Sequence, residues 1–383
     1  MADQAAVRLQ PGRDRSLHQR HPWVLSGSVA ALEGEPLPGA VVRVLDAAGR
    51  CLGTGDYDPE SQLRVRMTHF GDKPPVAEEI WLAERVANAL AWRAAHPALR
   101  ETDALRLIHA EGDALPGLTI DRYGEWLAVK LGTPAMLRRA PFLAELLAGA
   151  TGAQGAWLRG EGPRTAEREL FGTIPETPVS IQERGRRYQV DLRRGQKTGF
   201  YLDQRDARDL YARLATGRRA LDLYAYTGGF AAAALQGGAA SVVAVESSGP
   251  ACELLAANAP GAEIAQQDVA DFLRDDEREF DLVAVDPPPF ARRKRDVQAA
   301  ARAYKDINLR ALRRAASGAH VLTFSCSHHV NAEAFRHALV LAAHDAGRSV
   351  QMLGTLGAPP DHPVALVHPQ GEYLSGLLLR VDS

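Results

Sequence analysis

From residue 220 onward the chain alternates short apolar runs with helical patterns, and that alternation constrains its fold more than any other feature. The runs fall at residues 220–223, 242–245, 282–285 and 321–324. Strands buried on both faces read as near-continuous apolar stretches, and strands separated by helices build βαβ units. The second half is therefore expected to be a doubly wound, Rossmann-like α/β domain with a parallel sheet. At 383 residues the chain is too long for one ordinary core, so two or three domains are expected.

The first half is built differently. Up to about residue 75, short strands at 41–45, 51–55 and 63–67 are separated by Pro38-Gly39, Ala48-Gly49 and Asp58-Pro59, which suits a small β-barrel. From 75 to 97 the spacing of Ile80, Leu82, Val86, Ala89 and Leu90 turns helical, so a boundary is expected near residue 75. Extended stretches at 118–120 and 126–129 and a helix at 140–147 make the next section α+β. Segments 179–182 and 187–192 flank Glu183-Arg184-Gly185-Arg186 as a hairpin.

No window reaches the roughly 18 apolar residues of a membrane span, and the N-terminus lacks the apolar stretch of a signal peptide. A cytoplasmic protein is expected. Cys51, Cys252 and Cys326 form no CxxC pair, and His328 and His329 have no partners at ligand spacing, so no metal site is expected. The net charge of -2 hides uneven patches. Arg184, Arg186, Arg187, Arg193, Arg194 and Lys197 stand against Asp191 alone, a run that is either a solvated face or a phosphate-binding one.

Within the α/β half, Ala220-Leu-Asp-Leu-Tyr-Ala-Tyr-Thr-Gly-Gly-Phe230 reads as strand, glycine turn and helix. Gly228 and Gly229 let the backbone bend and approach a ligand. Asp222, Glu246, Asp268 and Asp286 each stand at or just past the end of an apolar run, at the crevice where such sheets bind ligands. Glu246 can accept both ribose hydroxyls, and Asp268 an adenine amine. A GxGxxG spacing, which seats a pyrophosphate, is missing. The set fits S-adenosylmethionine, which has no phosphate, better than a nicotinamide dinucleotide.

Asp286-Pro-Pro-Pro-Phe290 is a stiff ledge, since proline fixes φ. It suits a flat base, with the carboxylate accepting from an exocyclic amine and Phe290 stacking. Ser325-Cys-Ser327 follows the last apolar run, so Cys326 sits on the ligand side of the sheet, where a neighbouring helix N-terminus is expected to favour its thiolate. A pyrimidine C5 is too weak a nucleophile to take a methyl group directly. Thiolate attack at C6 makes it enamine-like, and a Cys326 nucleophile with Asp286 holding the base fits that chemistry.

These residues lie in longer motifs: His21-Pro-Trp-Val-Leu-Ser-Gly27, Ser61-Gln-Leu-Arg-Val-Arg66, His109-Ala-Glu-Gly-Asp-Ala-Leu-Pro-Gly117, Asp121-Arg-Tyr123, Gly195-Gln-Lys-Thr-Gly-Phe-Tyr-Leu-Asp-Gln-Arg205, Tyr226-Thr-Gly-Gly-Phe230, Asp286-Pro-Pro288, Tyr304-Lys-Asp-Ile-Asn308, Ser325-Cys-Ser327 and Asp361-His-Pro363. With them the sequence resembles, over nearly its whole length, the bacterial 23S ribosomal RNA cytosine-C5 methyltransferases with an N-terminal PUA domain. The resemblance implies a PUA RNA-binding domain (1–75), a central α+β domain (76–185) and a class I methyltransferase domain (186–383) that includes the entry hairpin. It implies Cys326 as nucleophile and Asp286 as base-binding carboxylate. Gln204, Asp222, Tyr226, Gly228, Gly229, Glu246, Asp268 and Asp286 would contact the cofactor. Lys197, Arg205, Phe290, Arg292, Lys294 and Lys305 would contact RNA, with the 197–205 segment closing over both. Arg8, Arg13, Arg15 and Arg20 join the basic patches placed to meet phosphates. Glu246 stands where the family commonly has Asp, and Pro289 where a small residue is usual.

The expected substrate is 23S rRNA, naked or in an assembly intermediate, with no membrane partner; pairing of two copies stays open. Two rival readings remain at this stage: a methyltransferase acting on exocyclic amines, which also use Asp-Pro-Pro before an aromatic, and a non-catalytic RNA-binding protein that kept the fold.

Overall fold

The computed structural model describes residues 5–72, 77–160, 165–291, 294–327 and 330–383. It divides into two compact units. The first comprises residues up to 179 together with 191–199 and 360–371; the second comprises 180–190, 200–359 and 372–383.

The first unit holds two sheets. One has six strands in the order Trp23–Leu25, Leu63–Phe70, Cys51–Tyr57, Val41–Leu45, Ala6–Leu9 and Val29–Glu33. Its two edge strands are consecutive in the chain and joined only by the turn Ser26–Ser28, so the sheet curls back on itself around Val7, Val42, Val44 and Val65. Three of the six strands went unread in the sequence because each is short and carries little alternation. The other sheet has five strands, Arg168–Gly172, Gly155–Arg159, Trp126–Leu131, Leu118–Tyr123 and Ala104–His109. The helices Glu78–Ala95 and Ala140–Thr151 cover it, burying Leu82, Val86, Leu143 and Leu147.

The second unit opens with the hairpin Val179–Glu183 and Arg186–Val190, whose turn residues Arg184 and Gly185 have φ of 48° and 79°. Two positive φ values in a two-residue loop match the twist of the flanking strands. Next comes a seven-stranded sheet: β1 (Arg219–Leu223), β2 (Ser241–Val245), β3 (Glu263–Ala265), β4 (Phe280–Val285), β5 (Ala315–Ser325), β6 (Ser349–Leu356) and β7 (Ser375–Asp382). The spatial order is β3-β2-β1-β4-β5-β7-β6. Strands β1 to β5 pair in parallel, as expected, but β7 runs antiparallel between β5 and β6. The four runs read from the sequence all lie in the parallel part; β6 and β7 come after the alternating pattern ends, and β6 is half solvated. The order reverses at β1 and β4, and that switch point puts the carboxyl ends of both strands beside one crevice.

Candidate active site

The loop leaving β1 is held in an uncommon conformation. Tyr224, Tyr226 and Gly228 all have positive φ, at 62°, 48° and 81°, and for tyrosine that costs on the order of 1 kcal/mol or more and signals a surrounding that enforces it. Glu246, just past β2, supplies the enforcement: its Oε2 accepts from the Tyr226 amide at 2.9 Å and its Oε1 from Ser248 at 2.8 Å. Gly228 precedes the helix Gly229–Gln236. The next turn is tied to Asp222, whose Oδ2 accepts from the Ala231 amide at 2.8 Å.

Asp222 is buried, and its other oxygen has no partner. Burial, with Asp286 and Glu246 nearby, pushes its carboxyl up to about 8 against the opposing Ala231 amide. The Gln204 Oε1 and Thr227 Oγ1 atoms are likewise buried without partners. A crevice ringed by carboxylates repels a pyrophosphate and attracts a cation. Unpaired buried polar atoms are what a site leaves for its ligand. Asp222, Glu246, Gln204 and Thr227 therefore fit a sulfonium cofactor carrying an amine and a ribose. Asp268 is exposed, and its Oδ1 caps the helix Val269–Asp275 through Ala270 and Asp271.

Across the switch point, β4 and β5 bring the acceptor residues together. The Cys326 Sγ donates to the Pro287 carbonyl at 3.7 Å, which ties the thiol to the residue next to Asp286. Tyr201 completes the group. Its ring meets Tyr226 edge-on at 5.4 Å, and burial, then the Asp286 carboxylate and the Cys326 thiol, hold its phenol well above the usual range. Cys326 does not lie in the first turn of the following helix, which starts at Ala332 under an Asn331 cap; the expected helix N-terminus at the thiol is corrected accordingly.

The buried side chains below the cysteine fix its loop. Ser327 Oγ lies 2.9 Å from the Tyr304 hydroxyl and accepts from the Ala291 amide at 3.3 Å. Asn308 donates to the Tyr304 carbonyl and accepts from Thr323 on β5. Tyr201, Tyr304, Asn308 and Ser327 lie in the sequence motifs, but the motifs alone give them no role. A buried polar residue on an apolar helix face was the available signal.

The RNA-facing expectations fare unevenly. Arg205 is fully buried, 3.6 Å from Glu183, in a cluster with Arg208 and Arg186, so it faces the interior and not a phosphate. Phe290 is partly buried and packs edge-on against Tyr304 at 4.8 Å, which engages the ring expected to stack on a base. Lys305 pairs with Asp345 at 2.5 Å, in the last turn of the helix Ala332–Ala346. Lys197, with φ of 52°, belongs to the first unit. In the basic run, Arg184 and Arg186 pair with Asp209, and Arg193 with Glu169, leaving Arg187 and Arg194 exposed. Arg8 pairs with Glu33. Arg292, His328, His329 and the Lys294 side chain lie outside the described residues. Among the described residues no cluster of three or more His, Cys, Asp or Glu could hold a metal ion, and no helix is long and apolar enough to cross a membrane.

A ribosomal RNA large subunit methyltransferase I from Salmonella arizonae is 38% identical over 393 residues, covering 97% of this chain and 96% of the relative. The chain belongs to that family. A second relative of the same name, from Escherichia coli O1:K1, is 37% identical over 390 residues, covering 97% and 98%. Residues 7–70 match the PUA-like domain family, 149–257 the S-adenosylmethionine-dependent methyltransferase family, and 207–313 the family described as conserved hypothetical protein 95. A solved putative SAM-dependent methyltransferase from Streptococcus mutans shares the fold with a TM-score of 0.84 at 20% identity, covering 98% of this chain and 99% of that one. A putative methyltransferase solved with SAH gives a TM-score of 0.83 at 20% identity, with the same coverage. The family member described here uses S-adenosylmethionine as its methyl donor.

Proposed function

We propose that this enzyme methylates C5 of a cytosine in large-subunit ribosomal RNA through a covalent Cys326–C6 adduct. The observation that carries the reading is the thiol of Cys326 on the carbonyl of Pro287, the residue after Asp286, at the switch point. An enzyme acting on an exocyclic amine needs no thiol there. In this reading the cofactor supplies an electrophilic methyl group. Asp286 holds the cytosine by accepting from its N4 amine. The Cys326 thiolate forms an S–C6 bond, and the displaced π electrons make C5 nucleophilic. C5 would take the methyl group as its bond to the sulfonium sulfur breaks, the electron pair staying on sulfur and leaving S-adenosylhomocysteine; C5 then gives its proton to a base, and the electron pair left behind re-forms the C5–C6 double bond and expels the thiolate. Residues 1–75 would serve as the RNA-binding domain and 186–383 as the catalytic one, with 76–185 between them. The relatives' names, which specify ribosomal RNA, support the substrate class.

The test is incubation with ribosomal RNA containing 5-azacytidine, which has no C5 proton to release. Wild type should form a stable protein–RNA complex and Cys326→Ala should not. Methyl transfer retained by Cys326→Ala would sink the C5 mechanism in favour of amine methylation, and no affinity for S-adenosylmethionine by calorimetry would favour a non-catalytic RNA-binding role.

A further inference from the structure

Two segments of the chain return to the first unit from the methyltransferase half, 191–199 and 360–371, and one buried polar cluster holds both. Its centre is Arg106. The guanidinium grips Asp121 at 2.7 and 2.8 Å, and the Arg106 amide donates to Asp361 Oδ2 at 2.9 Å. Arg93 donates to the Asp361 carbonyl at 2.9 Å. On the other side, Thr198 Oγ1 donates to Asp121 Oδ2 at 2.6 Å. With its proton committed there, Thr198 accepts from the Tyr123 hydroxyl at 2.9 Å. Tyr123, Thr198 and Asp121 thus form a directed chain in which every member is buried.

Such a cluster is a poor way to gain stability, because a desolvated ion pair is often no better than packed apolar side chains of the same volume. Its value lies in fixing one geometry. What it fixes is unusual: Lys197, adjacent to Thr198, has φ of 52°, a left-handed conformation that a non-glycine residue keeps only when its surroundings over-determine it. Immediately beyond, the chain leaves the first unit at Gly199 and enters the second at Phe200. It then supplies Tyr201, whose ring meets Tyr226 of the donor loop edge-on at 5.4 Å, and Gln204, with its unpartnered buried oxygen.

We propose that Thr198 and Tyr123, anchored on the Arg106–Asp121 pair, are positioning residues for methyl transfer: they hold the Lys197–Thr198 backbone so that Tyr201 and Gln204 are presented in their working geometry. The proposal rests on the methyltransferase reading of the site and adds residues of the first compact unit. The cluster acts through the chain and touches neither substrate nor cofactor.

The test compares Thr198→Val, an isosteric change that removes the hydroxyl, with Thr198→Ser, which keeps it. Full-length protein is assayed for kcat and KM in rRNA methylation and for S-adenosylmethionine Kd by calorimetry. Thr198→Val should lower kcat at least tenfold and weaken cofactor binding at least threefold, while Thr198→Ser stays within about twofold of wild type. Tyr123→Phe, which removes the other end of the hydroxyl chain without changing size, should move the same constants the same way and serves if the valine variant fails to fold. Valine and phenylalanine variants equal to wild type overturn the proposal, and so do equal losses in the valine and serine variants, which mark a packing role only. If wild type itself methylates no RNA, the functional reading fails, whereas the calorimetric comparison still reads the Thr198 effect.

Discussion

The hydroxyl of Tyr304 lies 2.9 Å from Ser327 Oγ, so a residue in the middle of the helix Val297–Arg314 holds the loop that carries Cys326. Tyr304 is fully buried and its carbonyl is gripped by Asn308 at 2.8 Å. Tyr304→Phe keeps the ring contacts with Phe290 and Phe335 and removes the hydroxyl's hydrogen bond to Ser327. The expected stability loss is about 1 kcal/mol. A cysteine misplaced by a fraction of an ångström costs far more in rate than in stability, so single-turnover methylation should slow roughly tenfold while thermal denaturation shifts by only a few degrees. A rate equal to wild type would show that the loop is held by other means.

Asp222 makes cofactor binding depend on pH. Its folded value, about 8, lies above the roughly 3.9 of an unfolded aspartate. The stability linked to its proton is therefore fully present below about pH 4 and lost as pH rises toward 8. Asp222→Asn keeps an oxygen for the Ala231 amide but has no proton to lose, so the ligand-free variant should be more stable than wild type at pH 8 and close to it at pH 5. A cationic cofactor favours the ionised carboxylate, so binding near pH 7 should release a proton and tighten between pH 6 and 8. Calorimetry in buffers of different ionisation enthalpy reads that proton directly; a buffer-independent enthalpy in wild type would refute the assignment.

The residues that could be read from the sequence are those whose position follows from the strand pattern. Glu246 and Asp286 stand out because the apolar runs before them are buried on both faces and end abruptly, and Asp222 because it is a charge within such a run. Cys326 stands out for the same reason as Glu246 and Asp286. Arg205 is not legible in this way, because a cation in a motif looks the same whether it meets a phosphate or a buried Glu183. Strand β6 went unread because an edge strand, with Gln351, Met352 and Leu353 exposed, has no periodicity to show. The roles of Tyr201, Tyr304 and Thr198 depend on partners far away in the chain, and no local pattern encodes those.

Gly228 is a second test of the donor site. Its φ of 81° favours glycine, and an added Cβ would come within 3.1 Å of the Leu255 side chain. Gly228→Ala should cost about 1–3 kcal/mol in stability and weaken S-adenosylmethionine binding, because the same turn sets the Tyr226 amide on Glu246. Calorimetry and urea unfolding together check this. A loss of stability with unchanged affinity would separate the turn from the ligand.

Glu183 is the place where a single substitution should damage the catalytic unit most without touching the site. It is fully buried at the end of a hairpin strand, paired bidentately with Arg208 at 2.8 and 2.5 Å and flanked by Arg205 and Arg186 at 3.6 Å each. Burial pushes its carboxyl up, but the three guanidinium groups outweigh burial and hold it below the ordinary range. Removing one partner of a buried pair leaves uncompensated charge, so Glu183→Gln should cost on the order of 3–5 kcal/mol at neutral pH. The sign of the pH dependence is opposite to that of Asp222. A depressed carboxyl contributes stability above its unfolded value, near 4.3, and loses it as pH falls through the lower folded value. The gap between wild type and Glu183→Gln should therefore be widest above about pH 5 and narrow steadily in more acidic buffers. Urea unfolding at pH 7, 5, 4 and 3 checks this; a gap that stays constant with pH would mean that packing of the hairpin, and not the ionised carboxylate, holds the three arginines.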